Sequence, residues 1–265
     1  MAIQRIALGV EYDGSGFSGW QAQRSPQVPT VQEALESALT RVADEPVTVH
    51  CAGRTDAGVH ALAQVVHFDT AAERSARAWV LGTNSMLPGA IAVQWAEQVD
   101  AGFHARFSAQ FRRYRYLVLN RSERSALLYG RVCLQRQPLD AAVMHDAAQL
   151  LLGEQDFSAF RAAGCQSRSA MRRMDRIDVN RHGDMIIIDV QANAFLLHMV
   201  RNIVGALMAV GSAERDSEWL HAVLHSRDRS LCAATAPAAG LYLVAVGYAA
   251  QWGLPAPGSL TWSLA

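Results

Sequence analysis

The sequence predicts an α+β fold of two ferredoxin-like (β-α-β-β-α-β) halves that form one extended, mainly antiparallel sheet with helices on one face and a central cleft. Three observations predict it. The apolar-periodic segments pass through the same six-element cycle twice. Segments with the alternation of half-buried strands are separated by segments with helical spacing. At 265 residues, the chain can bury the cores of two small domains. The division reads as an N-terminal α/β domain over 1–105, a C-terminal α/β domain over 106–248, and a tail over 249–265 containing Pro255, Pro257 and Gly258.

The first cycle opens with a strand over 6–12, ended by the loop signal Asp13-Gly14-Ser15-Gly16. A helix over 30–42 follows. Thr30 and Glu33 have the spacing of a capping box, and Val31, Leu35, Ala38, Leu39 and Val42 form its apolar stripe. Strands over 47–52 and 63–68 bracket a glycine-rich turn. A helix over 76–84, stopped by Pro88-Gly89, and a strand over 91–98 complete the cycle. The second cycle has a strand over 113–119, a helix over 140–152 ending at Gly153, and strands over 173–180 and 185–192 joined at Arg181-His182-Gly183-Asp184. A helix over 197–210 stops at Gly211. An inserted helix over 217–224 precedes the closing strand over 241–248.

Composition removes several chemistries. All 24 basic residues are arginine, so Schiff-base and PLP catalysis and a Walker A phosphate loop have no lysine to use. The four cysteines, Cys51, Cys133, Cys165 and Cys232, form no CxxC pair, which argues against a zinc ribbon or a disulfide framework and suits a reducing cytoplasm. The nine histidines show no HxH or HExxH spacing, so no metal is expected. No apolar run reaches bilayer length, and Met1-Ala2-Ile3-Gln4-Arg5-Ile6 lacks the layout of a secretion signal. A cytoplasmic protein is expected.

The formal net charge is zero, but the charge is unevenly spread. Residues 101–136 hold eight arginines (106, 112, 113, 115, 121, 124, 131 and 136) against the single acid Glu123. Residues 161–181 hold six more against Asp175 and Asp178. Planar guanidinium forks suit phosphates and bases, and two such clusters read as one basic surface for nucleic acid.

The most specific string is Gly53-Arg54-Thr55-Asp56-Ala57-Gly58-Val59-His60-Ala61. It sets a carboxylate between two glycines at the end of an apolar strand. The glycines allow a tight bend and close approach of a ligand, and Arg54 is the local cation. As residue types alone, these fit a structural Asp–Arg turn or a positioned nucleophile. Within the helix over 197–210, Arg201 lies in an otherwise apolar element, where an arginine is costly unless paired. Asp56 is the expected partner. In Phe111-Arg112-Arg113-Tyr114-Arg115-Tyr116-Leu117, alternation puts Tyr114 and Tyr116 on one strand face and Arg113 and Arg115 on the other.

The glycine-flanked string resembles the signature of the bacterial tRNA pseudouridine synthase A (TruA) family. The strings Glu11-Tyr12-Asp13-Gly14-Ser15-Gly16-Phe17-Ser18-Gly19-Trp20-Gln21, Phe103-His104-Ala105-Arg106, Asp156-Phe157-Ser158-Ala159-Phe160, Ala192-Asn193-Ala194-Phe195 and Gly240-Leu241-Tyr242-Leu243 are similar to family strings in family order. The resemblance implies that Asp56 is the nucleophile and that Tyr114, rather than Tyr116, packs against the target base. It implies isomerisation of uridine to pseudouridine at nucleotides 38, 39 and 40 of the tRNA anticodon stem-loop, with no cofactor, by a homodimer. Asp56 would attack either C1′ of the ribose or C6 of the base, once the base has left the stack at a cost of a few kcal/mol. Arg54 would fill the vacated space or hold the adjacent phosphate, Leu241 would wall the pocket, and Arg112 and Arg113 would contact the RNA. A non-catalytic RNA-binding protein explains the arginines but not Asp56 or Arg201. A small-molecule lyase or isomerase would not need two arginine clusters.

Overall fold

The computed structural model describes residues 3–23, 25 and 28–256. The last nine residues of the expected tail lie outside the described residues. The fold is α+β with mainly antiparallel strands, organised as two compact units: residues up to Gln110 together with those from Leu243, and residues Phe111–Tyr242. No helix among the described residues is long and apolar enough to cross a membrane.

The first unit follows the expected cycle: β1 (Gln4–Tyr12), α1 (Val31–Ala43), β2 (His50–Cys51), β3 (His60–Thr70), α2 (Ala76–Met86) and β4 (Ile91–Val99). Strand β1 lies between β3 and β4, antiparallel to both. Helix α1 begins where the Thr30 side chain accepts from the Glu33 amide, and it ends at Asp44 in the left-handed region. Its inward residues Leu35 and Leu39 are fully buried, each contributing roughly 1.5–3 kcal/mol. Helix α2 stops at Leu87, whose extended backbone is what the following proline demands.

One expected strand shrinks. Of residues 47–52, only His50 and Cys51 pair in a ladder. Val47 and Val49 are buried with the predicted alternation, but their amides donate to side chains of α1. Val47 N binds Thr40 Oγ1 at 3.1 Å and Val49 N binds Glu36 Oε1 at 2.9 Å. Side-chain acceptors have replaced the partner strand.

The second unit contains β5 (Ala109–Asn120), β6 (Cys133–Gln135), α3 (Ala141–Ala148), β7 (Gly153–Asp156), β8 (Met171–His182), β9 (Met185–Ala192), α4 (Met199–Gly211) and α5 (Ser217–Ser226). Strands β5, β9, β8 and β7 are neighbours in that order and antiparallel, while β6 runs parallel to β5. The short strands β6 and β7 escape sequence reading, since three or four residues carry too little alternation to register. The final strand, β10 (Leu241–Tyr248), follows β3 in the sheet order, and from Leu243 onward it packs with the first unit. The division expected from sequence, 106–248, places it with the second half. Its Tyr248 hydroxyl donates to Ala105 O at 2.6 Å, and the Phe103 ring lies against both Tyr248 and Trp252.

Candidate active-site elements

In the first unit, Asp56 sits in a four-residue turn closed by the Val59 amide donating to Asp56 O at 3.1 Å. Gly58 occupies the third position with φ 76°, where a side chain would be strained. Asp56 is half-buried, Arg54 is exposed and Thr55 is buried. The turn is held from both sides. Trp20 N donates to Thr55 O at 3.0 Å, and Gly58 N donates to Phe17 O at 3.3 Å. The Tyr12 and Thr55 hydroxyls share a hydrogen bond of 2.8 Å. Fully buried Gln64 grips the start of the turn, donating to Gly53 O at 2.6 Å and accepting from Gly53 N at 3.3 Å.

The loop over residues 13–20 is therefore the brace of the Asp56 turn, and its glycines are space requirements. A Cβ on Gly19 would lie 2.9 Å from Thr55 O and 3.1 Å from the Asp56 carbonyl carbon, with φ already at 96°. A Cβ on Gly14 would lie 1.9 Å from Val59 O. Gly14 N also donates to Nδ1 of buried His60 at 3.1 Å. The string beginning at Glu11, recognisable only by resemblance, thus has a physical purpose: two backbones in contact around one carboxylate. Burial pushes the nearby Cys51 thiol up to about 12, although the guanidinium groups of Arg54 and Arg106 act in the opposite direction.

In the second unit, the two tyrosines of β5 share the buried face, as alternation predicts, and the structure separates their surroundings. Tyr116 is fully buried, its hydroxyl donates to Pro237 O at 2.7 Å, and burial raises its pKa above the usual tyrosine range. A Cβ on Gly240 would lie 2.7 Å from its ring, so Tyr116 is wedged into the core. Tyr114 is 8% exposed and meets the Phe195 ring edge-on at 5.1 Å. Phe195 belongs to another of the resemblance strings. Leu241 is buried at the start of β10.

Helix α4 is buried on nearly every face, and Arg201 is half-buried within it. Arg201 Nε donates to Ala236 O at 2.8 Å, while Ala236 N donates back to Arg201 O at 3.1 Å. Gly205 admits this segment, because a Cβ there would lie 2.0 Å from Ala234 O. Sequence reasoning missed Asn202, the fully buried amide beside it. Its Nδ2 donates to Phe160 O at 2.7 Å, and its Oδ1 accepts from Arg229 at 3.0 Å and from Thr235 at 2.7 Å. An amide beside Arg201 inside an otherwise apolar helix is the signal that could have found it, since such a group must be satisfied. Preceding the helix, His198 holds a left-handed φ of 58°, which costs a side-chain-bearing residue roughly 1–2 kcal/mol.

The arginine clusters divide. Arg112 shares the buried tyrosine face and donates to Asn193 O at 3.1 Å. Across the β5–β9 register, Arg115 makes a two-pronged pair with buried Asp189 at 3.0 and 2.9 Å, and Arg113 approaches the same carboxylate at 3.4 Å. Arg161 donates to Cys165 O and Ser167 O, and Arg172 to Ser169 O, Met171 O and Ser167 Oγ. Arg173, Arg176 and Arg181 also have partners within their own unit. By contrast, Arg124, Arg136 and Arg168 are exposed and make no ion pair or side-chain hydrogen bond among the described residues.

This division predicts different phenotypes. Alanine at Arg124, Arg136 and Arg168 should weaken RNA binding and flatten its salt dependence by about one unit of slope per lost phosphate contact, with unchanged melting. Alanine at Arg115 should lower stability by about 1.5–3 kcal/mol, the worth of hydrogen bonds to a charged group. Titrations at several salt concentrations, with thermal melts, check both. Equal salt slopes in the triple variant and the parent would refute the phosphate role.

The family described as tRNA pseudouridine synthase matches residues 9–108 and 147–249 of this chain. Proteins named tRNA pseudouridine synthase A from Shigella boydii serotype 18 and Escherichia coli strain SE11 are each 55% identical to it over 257 residues, covering 97% of this chain and 94% of theirs. A solved Cbf5-Nop10-Gar1 complex shows a remote likeness, with TM-score 0.37 and 12% identity over 90% of this chain and 49% of that one. The Asp56 turn, its bracing loop and the Arg201 helix all lie inside the residues the family matches, and this chain belongs to the tRNA pseudouridine synthase family, as an isomerase that forms pseudouridine in tRNA.

Proposed function

We propose that the enzyme converts uridine to pseudouridine at positions 38, 39 and 40 of the tRNA anticodon stem-loop, with Asp56 as nucleophile. The N1–C1′ bond breaks, the uracil turns, and C5 joins C1′. N1 gains a proton and C5 releases one, so electrons balance without a redox partner. Tyr114 stacks on the uracil and its hydroxyl handles a proton. Arg201 supplies positive charge to the reaction. Arg54 fills the place left by the extruded base or holds the adjacent phosphate, Leu241 packs against the substrate, and Arg112 and Arg113 belong to the RNA-binding strand.

The observation that carries this reading is the construction of the Asp56 turn. A buried glutamine, a hydroxyl pair and two glycines in backbone contact hold a half-buried carboxylate whose structural role alone would not require them. Such fixed placement is what a nucleophile needs. The test is tritium release from tRNAs carrying C5-labelled uridine at only one of positions 38, 39 and 40. One tritium per pseudouridine at each position is the expected result, and an absence of release from all three labelled positions overturns the assignment.

The working form is proposed to be a cytoplasmic homodimer. Asp56 lies in the first unit and the arginine clusters mostly in the second, so one subunit's arginines can grip the tRNA body while the other presents its nucleophile. Mixing Asp56→Asn subunits with subunits altered at Arg124, Arg136 and Arg168 should restore activity in heterodimers. A fully active monomer in sedimentation removes this part of the proposal.

A further inference from the structure

The string Phe103-His104-Ala105-Arg106 has no part in the reaction described above, yet in the first unit it builds a turn that presents an aromatic ring to solvent. Ser108 N donates to His104 O at 2.9 Å, and His104 N donates to Ser108 Oγ at 3.0 Å. Within that loop, His104 Nδ1 accepts from the amides of Arg106 at 3.1 Å and Phe107 at 3.4 Å. The backbone carrying Arg106 and Phe107 is thereby set in advance.

Phe107 is 74% exposed. Its ring lies 4.4 Å from the His104 ring at 36°, and the Arg106 guanidinium carbon sits 5.5 Å from its centroid. His104 meets His67 at 4.5 Å, and His67 stacks on His50 at 5.1 Å. Burial holds His67 at about 4 and His104 below the usual histidine range. Asp69, the acid whose charge acts on His67, is held by two 2.7 Å bonds to Arg5. His50 directly precedes Cys51, whose thiol feels both Arg54 and Arg106, so this patch borders the strand that leads into the Asp56 turn.

An exposed ring with a guanidinium at its side, on a fixed backbone, suits a flat group that carries an anion. We propose that Phe107 and Arg106 are a stacking platform for an unpaired base of the RNA substrate adjacent to the target uridine, the base lying on Phe107 and its phosphate meeting Arg106. The proposal rests on the enzyme's action on RNA and adds positioning residues to it. A protein partner would value Phe107 for apolar area alone, whereas a base requires the flat face.

The test compares Phe107→Leu, which keeps apolar volume, with Phe107→Trp, which keeps the flat face. Full-length protein is titrated with tRNA carrying 2-aminopurine at each nucleotide flanking the target in turn. Phe107→Leu should raise Kd about ten-fold, in the range for loss of one stacked base, and abolish quenching at one flanking position. Phe107→Trp should restore both, with melting temperatures equal throughout. Binding by Phe107→Leu within two-fold of the parent, or quenching that persists in it, overturns the platform. Should the parent release no tritium while quenching still depends on Phe107, the catalytic reading falls and the platform stands.

Discussion

Asp56→Asn should leave an enzyme that folds, melts within a few degrees of the parent and binds tRNA, yet forms no pseudouridine. The amide has nearly the shape of the carboxylate but is not a nucleophile. Removing a nucleophile from a preformed site costs on the order of 10⁴-fold or more in turnover. The bonds that hold the turn involve the backbone of Asp56, Thr55 and Gly53 and the side chain of Thr55, and these survive the change. Single-turnover tritium release, with tRNA affinity and melting measured on the same preparation, decides the matter. Turnover above background in pure Asp56→Asn would take the nucleophile role away from Asp56. Lost tRNA binding would show instead that the carboxylate shapes the RNA surface.

Gly14→Ala should also damage catalysis, less severely and by a different route. A methyl group at Gly14 would sit 1.9 Å from Val59 O and 2.6 Å from Val59 C, so one of two backbones must move. Val59 N closes the Asp56 turn, and the displacement therefore reaches the carboxylate. A shift of about 1 Å at a reacting group can cost 10²-fold in rate. The overpacking itself should cost about 1–3 kcal/mol, a fall of several degrees in melting temperature. Gly16→Ala is the internal control, because a Cβ there meets nothing within 4 Å. Comparable damage from both substitutions would show that chain flexibility, and not contact with Val59, is what the loop's glycines provide.

Most of the secondary structure was legible because its causes are local. The cap at Thr30, the apolar spacing of α1 and the proline after α2 act within a few residues of each other, and the structure keeps all three. The alternation of β5 correctly put Tyr114 and Tyr116 on one face, and in the structure Arg112 shares that buried face. The strand expected over 47–52 had the right alternation and the wrong bonding. Burial of Val47 and Val49 is written in their own side chains, but whether their amides meet a strand or Thr40 and Glu36 depends on how α1 packs.

Nothing in the arginine string told Arg112 and Arg115 apart from Arg124 and Arg136. A guanidinium looks the same in sequence whether it will face Asp189 across a ladder or open solvent. The grouping of β10 from Leu243 onward with the first unit was equally hidden, since its apolar residues carry no mark of the unit they pack with. Sequence alone determined the doubled α+β order, the capped start of α1 and the stop of α2 before its proline, and it singled out Asp56 as the residue to watch, because spacing, capping and a distinctive string are properties of neighbours along the chain. Tertiary structure alone decided that Gly14 and Gly19 press against the Asp56 turn, that Tyr116 is bonded into the core, and that Asp189 claims two arginines. Each of those depends on which backbone lies opposite, a matter of packing between residues far apart in the chain.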